Sequence, residues 1–218
     1  MVATFSKRGD PFGRALLTLR YQLRIGSFGQ GRPLAIIEIA RDLGLSPTPV
    51  REALSRLAGE GLVEELRGRG FFSRHLDSGE LLDLYDLELL QLGFAVDALS
   101  TNPGRWTASD ALRGTQSGDE WRNEDDLASQ CEMVLGRLAA ASGSRALRAS
   151  YQSVADQLGP ARRAEPHVLT GVGAEVVCIR RLFGEGDWQG LRSELDRFHK
   201  RRRAAANEIA AMLRGLIV

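Results

Sequence analysis

Residues Ile36–Arg74 read IIEIARDLGLSPTPVREALSRLAGEGLVEELRGRGFFSR. Apolar side chains recur at helical spacing up to Leu43, and Gly44 then predicts a left-handed C-cap that ends the helix. Ser46 is a favourable N-cap for another helix, and Pro47 falls at its first position, where a missing N–H costs nothing. The stretch therefore predicts two helices joined by a tight turn.

The second of these helices has two chemically different faces. Val50, Leu54 and Leu57 share one face, which we expect to be buried. Thr48 and Arg51 fall on the opposite face, near the helix N-terminus, where side chains can reach base edges. Arg51 is the long donor of that face. It could pair with guanine through two hydrogen bonds, worth roughly 1–3 kcal/mol of base discrimination.

A short hairpin is predicted after this helix. Leu62–Leu66 and Phe71–Arg74 are the expected strands, and Arg67–Gly70 is the turn. The two arginines of the turn could enter a minor groove or lie along phosphates. Arg56, on the flank of the helix, is better placed for a phosphate. The layout is that of a winged helix-turn-helix, and the hairpin makes a chance pattern in a small helical domain the weaker interpretation.

Charge and composition divide the 218-residue chain into two parts. Residues 1–76 hold 12 Lys and Arg against 7 Asp and Glu, and the remainder holds 17 against 21. A basic front and an acidic back favour a nucleic-acid-binding module joined to one that does not bind nucleic acid. No run of 18 apolar residues occurs, so no membrane partner is expected. Cys131 and Cys178 are far apart, which favours a reduced, cytoplasmic protein.

The second part of the chain is helical throughout its pattern. Gly79–Leu99 is apolar nearly all round, which predicts a helix buried in a bundle or at a dimer interface, ending at residues 102–104. The predicted fold is mostly α, with a winged helix-turn-helix at 1–76 and an all-α bundle at 79–218. Further helices are predicted at Asp125–Ala141, Ser144–Leu158, Glu165–Phe183 and Trp188–Leu216.

The segment LGLSPTPVREALSRLAGEGLVEELRGRGFF, residues 43–72, resembles the signature of the GntR family of bacterial transcription regulators. The resemblance covers roughly residues 12–76, and the helical remainder resembles the FadR-like subfamily. Two positions depart from the family pattern, because Pro47 stands where arginine is common and Ile36 where an acidic residue is common. We expect an operator, or an affinity, unlike that of typical relatives. The predicted DNA-binding residues are Ser46, Thr48, Pro49, Arg51, Arg56, Arg67 and Arg69.

The FadR-like resemblance also implies a metal, typically held by an Asp and three His on facing helices. The corresponding positions here read Cys131, Leu135, Val176 and, near the last of them, His199. Leucine and valine have no donor atoms, and one imidazole cannot hold a divalent ion tightly. We therefore predict no metal and no other cofactor.

The first helix of the second part departs from the subfamily as well. Glu88 stands where relatives often have an arginine, and Leu92 where they often have a glutamate. The reversed charge is expected to repel an anionic effector and to favour a neutral or apolar one. The predicted effector pocket consists of Glu88, Leu92, Cys131, Leu135, Val176 and His199.

Several other residues have ordinary structural interpretations. Cys131 is expected to be a small buried side chain rather than a sensor thiol. The run Lys200–Arg203 points in several directions on a helix, so a solvated helix surface is favoured over a second DNA site. Trp106, Trp121 and Trp188 could line a pocket, although packing is the commoner role.

The leading functional prediction is a homodimeric, sequence-specific regulator that reads two half-sites of a near-palindromic double-stranded operator and senses a small molecule. The alternative is a constitutive DNA-binding dimer whose helical domain is only a dimerisation scaffold. An enzyme is not expected, since the sequence has no nucleophile–base pair, ligand cluster or cofactor loop. A cleft with two converging ionisable side chains would favour an enzyme.

Overall fold

The computed structural model describes residues 10–101 and 124–215. They form two compact units, residues 10–75 and residues 76–215. The predicted end of the long helix at residues 102–104 lies outside the described residues, as do Trp106 and Trp121. The predicted domain bounds, 1–76 and 79–218, stay a prediction.

The first unit contains three helices and a two-stranded antiparallel sheet, and the second and third helices and the sheet are those predicted above. Asp10 begins the first helix, because its carboxylate accepts the N–H of Phe12 at 3.1 Å. Gly44 ends the second helix with φ of 63°, which confirms the predicted left-handed cap. The elements are α1 (Pro11–Arg24), α2 (Ile36–Leu43), α3 (Pro47–Gly59), β1 (Val63–Leu66) and β2 (Gly70–Ser73).

The core of the first unit lies between α1, α3 and the hairpin. Leu19 of α1 and Leu54 of α3 are completely buried in it, and Phe71 of β2 lies against the same cluster. The backbone N–H of Leu34 donates to the carbonyl of Phe71 at 2.8 Å, so the segment before α2 is fastened to the hairpin. Because the core fixes one face of α3, the other face must be the exposed one.

The second unit is all-α in its described residues. A capping box begins its first helix: the N–H of Glu80 donates to Asp77 at 2.8 Å, and the N–H of Asp77 donates back to Glu80 at 3.3 Å. The helices are α4 (Ser78–Thr101), α5 (Glu124–Ala141), α6 (Arg145–Val168), α7 (Val172–Glu185), α8 (Trp188–Ala204) and α9 (Ala206–Gly215). Together with the first unit they confirm the mostly α fold.

One predicted helix boundary in this unit is wrong. Residues 159–160 are Gly-Pro and were expected to separate two helices, yet α6 continues through them. A proline inside a helix removes one backbone hydrogen bond and costs about 3 kcal/mol. Leu158 and Ala161, on either side, are completely buried in an apolar cluster, and this burial offsets the cost.

Two further boundaries differ from prediction. The third predicted helix, Glu165–Phe183, is divided at Gly171. This glycine has a φ of 71° and directly precedes α7. The last predicted helix, Trp188–Leu216, is interrupted at Ala205, where α8 ends and α9 follows. No glycine or proline marks Ala205, so the sequence carries no local signal for this break.

Two apolar clusters fill the second unit, and charged residues lie between them on two helices. On α4, Glu88 is flanked by Tyr85 of one cluster and Leu92 of the other. Arg202 of α8 is likewise flanked by residues of both clusters. Phe198 belongs to the cluster of Leu92, and Ala205, just after α8, belongs to the cluster of Tyr85. A polar layer therefore crosses the interior of the helical unit.

Candidate nucleic-acid interface and the interior of the helical unit

The outer face of α3 presents the residues predicted to read DNA. Val50 and Leu54 are completely buried, whereas Thr48 and Arg51 are exposed. The two sets separate because successive helical residues are rotated by about 100°. Packing of the buried face thus holds Arg51 outward near the start of the helix.

Ser46 occupies the N-cap position, but its side chain makes no capping hydrogen bond. The physical reason lies three residues further on. An N-cap hydroxyl commonly accepts from the third helical residue, and here that residue is Pro49, which has no N–H. The exposed Ser46 hydroxyl is therefore available to a partner outside the chain.

Arg56 lies in a different environment from Arg51. Its Nε donates to Glu60 Oε1 at 2.8 Å, one helical turn away. The other carboxylate oxygen of Glu60 lies 2.6 Å from Arg20 of α1. The sequence reasoning missed this ion-pair network, although the four-residue spacing of Arg56 and Glu60 could have indicated it. A phosphate bound by Arg56 would compete with Glu60.

The hairpin forms the predicted wing. Val63 pairs with Ser73 and Leu66 with Gly70, in antiparallel register. Arg67 and Arg69 are both exposed in the turn. The Arg69 guanidinium lies 5.5 Å from the ring centroid of Phe72, a distance suited to a cation–π contact. This contact supports the arginine at the tip while leaving its outer edge exposed.

The predicted effector residues of the second unit are all buried. Leu92, Cys131, Leu135 and Val176 belong to one apolar cluster, and none of them exposes more than 2% of its surface. Burial raises the pKa of the Cys131 thiol to about 12. Cys131 is thus a buried thiol, as expected, and lacks the lowered pKa of a reactive cysteine.

Glu88 and His199, the two polar residues of the predicted pocket, contact each other. His199 Nε2 lies 3.0 Å from Glu88 Oε2, and His199 Nδ1 lies 2.8 Å from the carbonyl of Leu195. Arg162 of α6 donates to the same oxygen of Glu88. The charge of Glu88 is therefore compensated within the chain, and the argument that it repels anionic effectors no longer holds.

A chain of ion pairs extends from Glu88 through the interior. Arg162 Nη1 donates to Glu165 Oε1 at 2.8 Å, and Arg202 Nε donates to Glu165 Oε2 at 2.8 Å. Arg202 Nη1 then donates to Glu175 of α7 at 2.9 Å. Four helices, α4, α6, α7 and α8, are connected by these side chains. We call Glu88, Arg162, Glu165, Glu175, His199 and Arg202 the buried charge network.

Sequence reasoning missed most of this network. The expectation of a solvated surface for Lys200–Arg203 is wrong for Arg202, which is completely buried with its guanidinium carbon 3.3 Å from the Phe198 ring centroid. The spacing of Leu191, Leu195 and Phe198 places Arg202 on the buried face of α8, and that periodicity was the available signal.

The pKa of Glu88 reflects two opposing effects. Burial by itself raises it, because a carboxylate is poorly solvated in the interior. The positive charge of Arg162 and the hydrogen bond with His199 outweigh burial and lower the pKa to about 2. Glu88 is therefore ionised at neutral pH, and so is its partner Arg162, whose pKa is raised by Glu165 and Glu88 against the effect of burial.

Three ionisable side chains meet in the interior of the helical unit. Glu88, Arg162 and His199 converge within hydrogen-bonding distance, which was the feature expected of an enzyme. All three side chains are buried, and none exposes more than 2% of its surface. Within residues 10–101 and 124–215, no group of three or more His, Cys, Asp or Glu is placed to hold a metal ion.

The two helices, the turn between them and the hairpin together define a winged helix-turn-helix protein with a helical second unit. Residues 14–72 match the model of the family described as bacterial regulatory proteins, gntR family. The first unit therefore contains a DNA-binding domain of the gntR type, which is similar to the domains of these bacterial regulators.

Curated relatives match a part of the chain. The Nta operon transcriptional regulator of Aminobacter aminovorans is 43% identical over 60 residues, which are 28% of this chain and 29% of that protein. The HTH-type transcriptional regulator McbR of Escherichia coli is 34% identical over 86 residues, 38% of this chain and 39% of McbR. The chain thus matches less than half the length of these relatives.

Solved structures share the fold of both units. A putative transcriptional regulator GntR from Rhodococcus sp. RHA1 has a TM-score of 0.73 at 19% identity and covers 89% of this chain and 96% of its own. Escherichia coli McbR/YncC has a TM-score of 0.66 at 19% identity, covering 92% and 98%. In the part of the chain that the structure describes, no helix is long and apolar enough to cross a membrane.

Proposed function

We propose that the chain regulates transcription in the cytoplasm by binding a specific double-stranded DNA operator as a homodimer. The observation that carries this proposal is the outward position of Thr48 and Arg51 on α3, opposite the fully buried Val50 and Leu54, in a domain of the gntR family. A helix so arranged can enter the major groove with its N-terminal turns against the bases.

Each predicted DNA-binding residue has a distinct role in this proposal. Arg51 reads guanine through its N7 and O6 atoms, the commonest specific contact in the major groove. Ser46 and Thr48 donate hydroxyl hydrogen bonds to phosphates beside the helix N-terminus, and Pro49 shapes that turn. Arg67 and Arg69 of the wing neutralise phosphates or enter the minor groove. Arg56 assists only where a phosphate displaces Glu60.

A second copy of the chain is the protein partner that we propose. Leu87, Leu90 and Phe94 lie on one stripe of α4, and Leu90 and Phe94 are 72% and 57% exposed. Large apolar side chains clustered on one helix face are typical of an interaction surface. A two-fold dimer would present two α3 helices to half-sites about one helical turn apart, which implies a near-palindromic operator.

The role of the helical unit is the open part of the proposal. A small-molecule sensor is the function that the resemblance implies. A neutral or apolar molecule was expected only because of Glu88, whose charge is compensated within the chain. The packing of Leu92, Leu135 and Val176 against one another supports the alternative, a dimerisation scaffold without an effector. A thermal-shift screen of metabolites separates the two, because a ligand that binds only the folded state raises the melting temperature with concentration.

Selection of bound fragments from a genomic DNA library tests DNA recognition directly. We expect the wild-type chain to enrich a near-palindromic site and Arg51→Ala to lose discrimination at one base pair of each half-site, by about 1–3 kcal/mol. Arg181→Ala is the matched control, since Arg181 is an exposed arginine of the helical unit paired with Glu185. If Arg51→Ala enriches the same site with unchanged affinity, α3 does not read the bases.

A further inference from the structure

We propose that the guanidinium groups of Arg162 and Arg202 stand in for the divalent metal that the FadR-like resemblance implies. The second unit is then assembled around cations of its own chain.

The residues at the implied metal positions do not fit a metal ion. Leu135 and Val176 offer no donor atom, and Cys131 would have to lose its proton inside an apolar cluster. His199 is the one imidazole among these positions, and both of its ring nitrogens already have partners, Leu195 O and Glu88 Oε2.

The two arginines bind carboxylates from several helices, as a bound metal ion would. Glu88 contacts Arg162, Glu165 bridges Arg162 and Arg202, and Glu175 contacts Arg202. Two guanidinium groups carry the same charge as one divalent ion, and each can bind two carboxylates through its planar set of donors. The carboxylates come from α4, α6 and α7 and the arginines from α6 and α8, so the network shares α7 and α8 with the implied metal positions. It joins them to α4 and α6 instead of to α5, which carries Cys131 and Leu135.

The arginines also lie close to one of the implied metal positions. The Glu88 oxygen that Arg162 contacts also lies 3.0 Å from His199 Nε2, and His199 is the last of the implied positions. Arg162 and Arg202 lie over the same ring, with guanidinium carbons 5.2 Å and 3.3 Å from the centroid of Phe198. Phe198 directly precedes His199, the last of the implied positions. The organic cations and the implied metal would therefore compete for one region.

This replacement has a functional consequence. A metal can be removed by a chelator or exchanged, and its binding is coupled to folding. A guanidinium is covalently part of the chain and stays protonated in proteins. The connection between α4, α6, α7 and α8 should therefore be permanent, and the stability of the helical unit should not respond to metals.

The first experiment uses the full wild-type chain. Thermal unfolding is followed after treatment with EDTA and after addition of Zn²⁺, Mn²⁺ or Ni²⁺, and equilibrium dialysis measures the bound metal. We expect less than about 0.1 metal ion per chain and no shift of the melting temperature. One bound ion per chain, or a melting temperature lowered by EDTA, would overturn the proposal.

The second experiment restores the missing donors. The triple variant Cys131→Asp, Leu135→His, Val176→His is compared with the same variant carrying Arg162→Met in addition. We expect Zn²⁺ to bind only the quadruple variant, because the Arg162 guanidinium holds Glu88 and repels a metal ion. The triple variant carrying Arg192→Met, which removes an exposed arginine, is the control and should behave like the triple variant.

Stoichiometric zinc in the triple variant, as tight as in the quadruple variant, would show that Arg162 does not occupy the metal position. If the quadruple variant fails to fold, equilibrium dialysis of the wild-type chain and of the triple variant still tests the proposal. Stoichiometric zinc in either of them would contradict it.

Discussion

The imidazole of His199 and the carboxylate of Glu88 lie 3.0 Å apart, although 111 positions separate them in the chain. The pairing joins α8 to α4 in the middle of the helical unit. Both residues were expected in an effector pocket, and their contact shows that they do converge. They converge on each other and on Arg162, so the place is filled by side chains that satisfy one another.

The Glu88 carboxylate should give the protein a defined loss of stability in acid. Its pKa is lowered from 4.5 to about 2 in the folded state, so its contribution is complete above pH 4.5 and disappears as the pH falls towards 2. The difference in unfolding free energy between wild type and Glu88→Gln should shrink by about 1.4 kcal/mol per pH unit between pH 4 and pH 3. Urea unfolding at each pH measures this difference.

Glu185→Gln is the control for this measurement, because Glu185 is exposed and pairs with Arg181 on the surface. Its difference from wild type should hardly change over the same range. A Glu88→Gln difference that is constant from pH 6 to pH 3 would contradict a lowered pKa for Glu88.

Two glycines of the first unit should respond oppositely to alanine. Gly44→Ala forces an L side chain to φ of 63° and should destabilise the unit by about 1–2 kcal/mol. Gly59→Ala lies within α3, has open space around the added methyl group, and should stabilise by up to about 1 kcal/mol. Chemical denaturation of both variants provides the comparison. Equal effects of the same sign would refute the assigned turn geometry.

The wing arginines should govern salt dependence rather than base preference. Arg67→Ala with Arg69→Ala should weaken binding to every DNA sequence and reduce the slope of log affinity against log salt by about 1 for each lost phosphate contact. Fluorescence anisotropy over a range of salt concentrations measures the slope. Arg181→Ala should leave the slope unchanged. A double variant with the wild-type slope would mean that the wing does not touch phosphates.

The exposed stripe of α4 should control the oligomeric state. Leu90→Asp places a charge on that stripe and should shift the protein from dimer to monomer at micromolar concentration, as measured by sedimentation. Leu17→Asp, at an exposed leucine of α1, is the matched control and should stay dimeric. If both variants stay dimeric, the stripe is not the interface. If the wild type is a monomer, the homodimer itself is excluded.

The sequence alone determined the first unit almost completely. Its signals are local: Gly44 ends α2, Pro47 begins α3, and the period of Val50, Leu54 and Leu57 separates a buried face from an exposed one. Backbone preferences and helical geometry act over a few residues, so a short stretch of sequence is sufficient to fix them.

Tertiary structure decided the helical unit. Pro160 sits inside a helix because the packing of Leu158 and Ala161 outweighs a local preference, and Ala205 breaks a helix without any local signal. The ionised Glu88 and the buried Arg202 are stable only through partners dozens of residues away, since a lone charge in an apolar interior is too costly. Local patterns do not contain that pairing, because it exists only once four helices have come together.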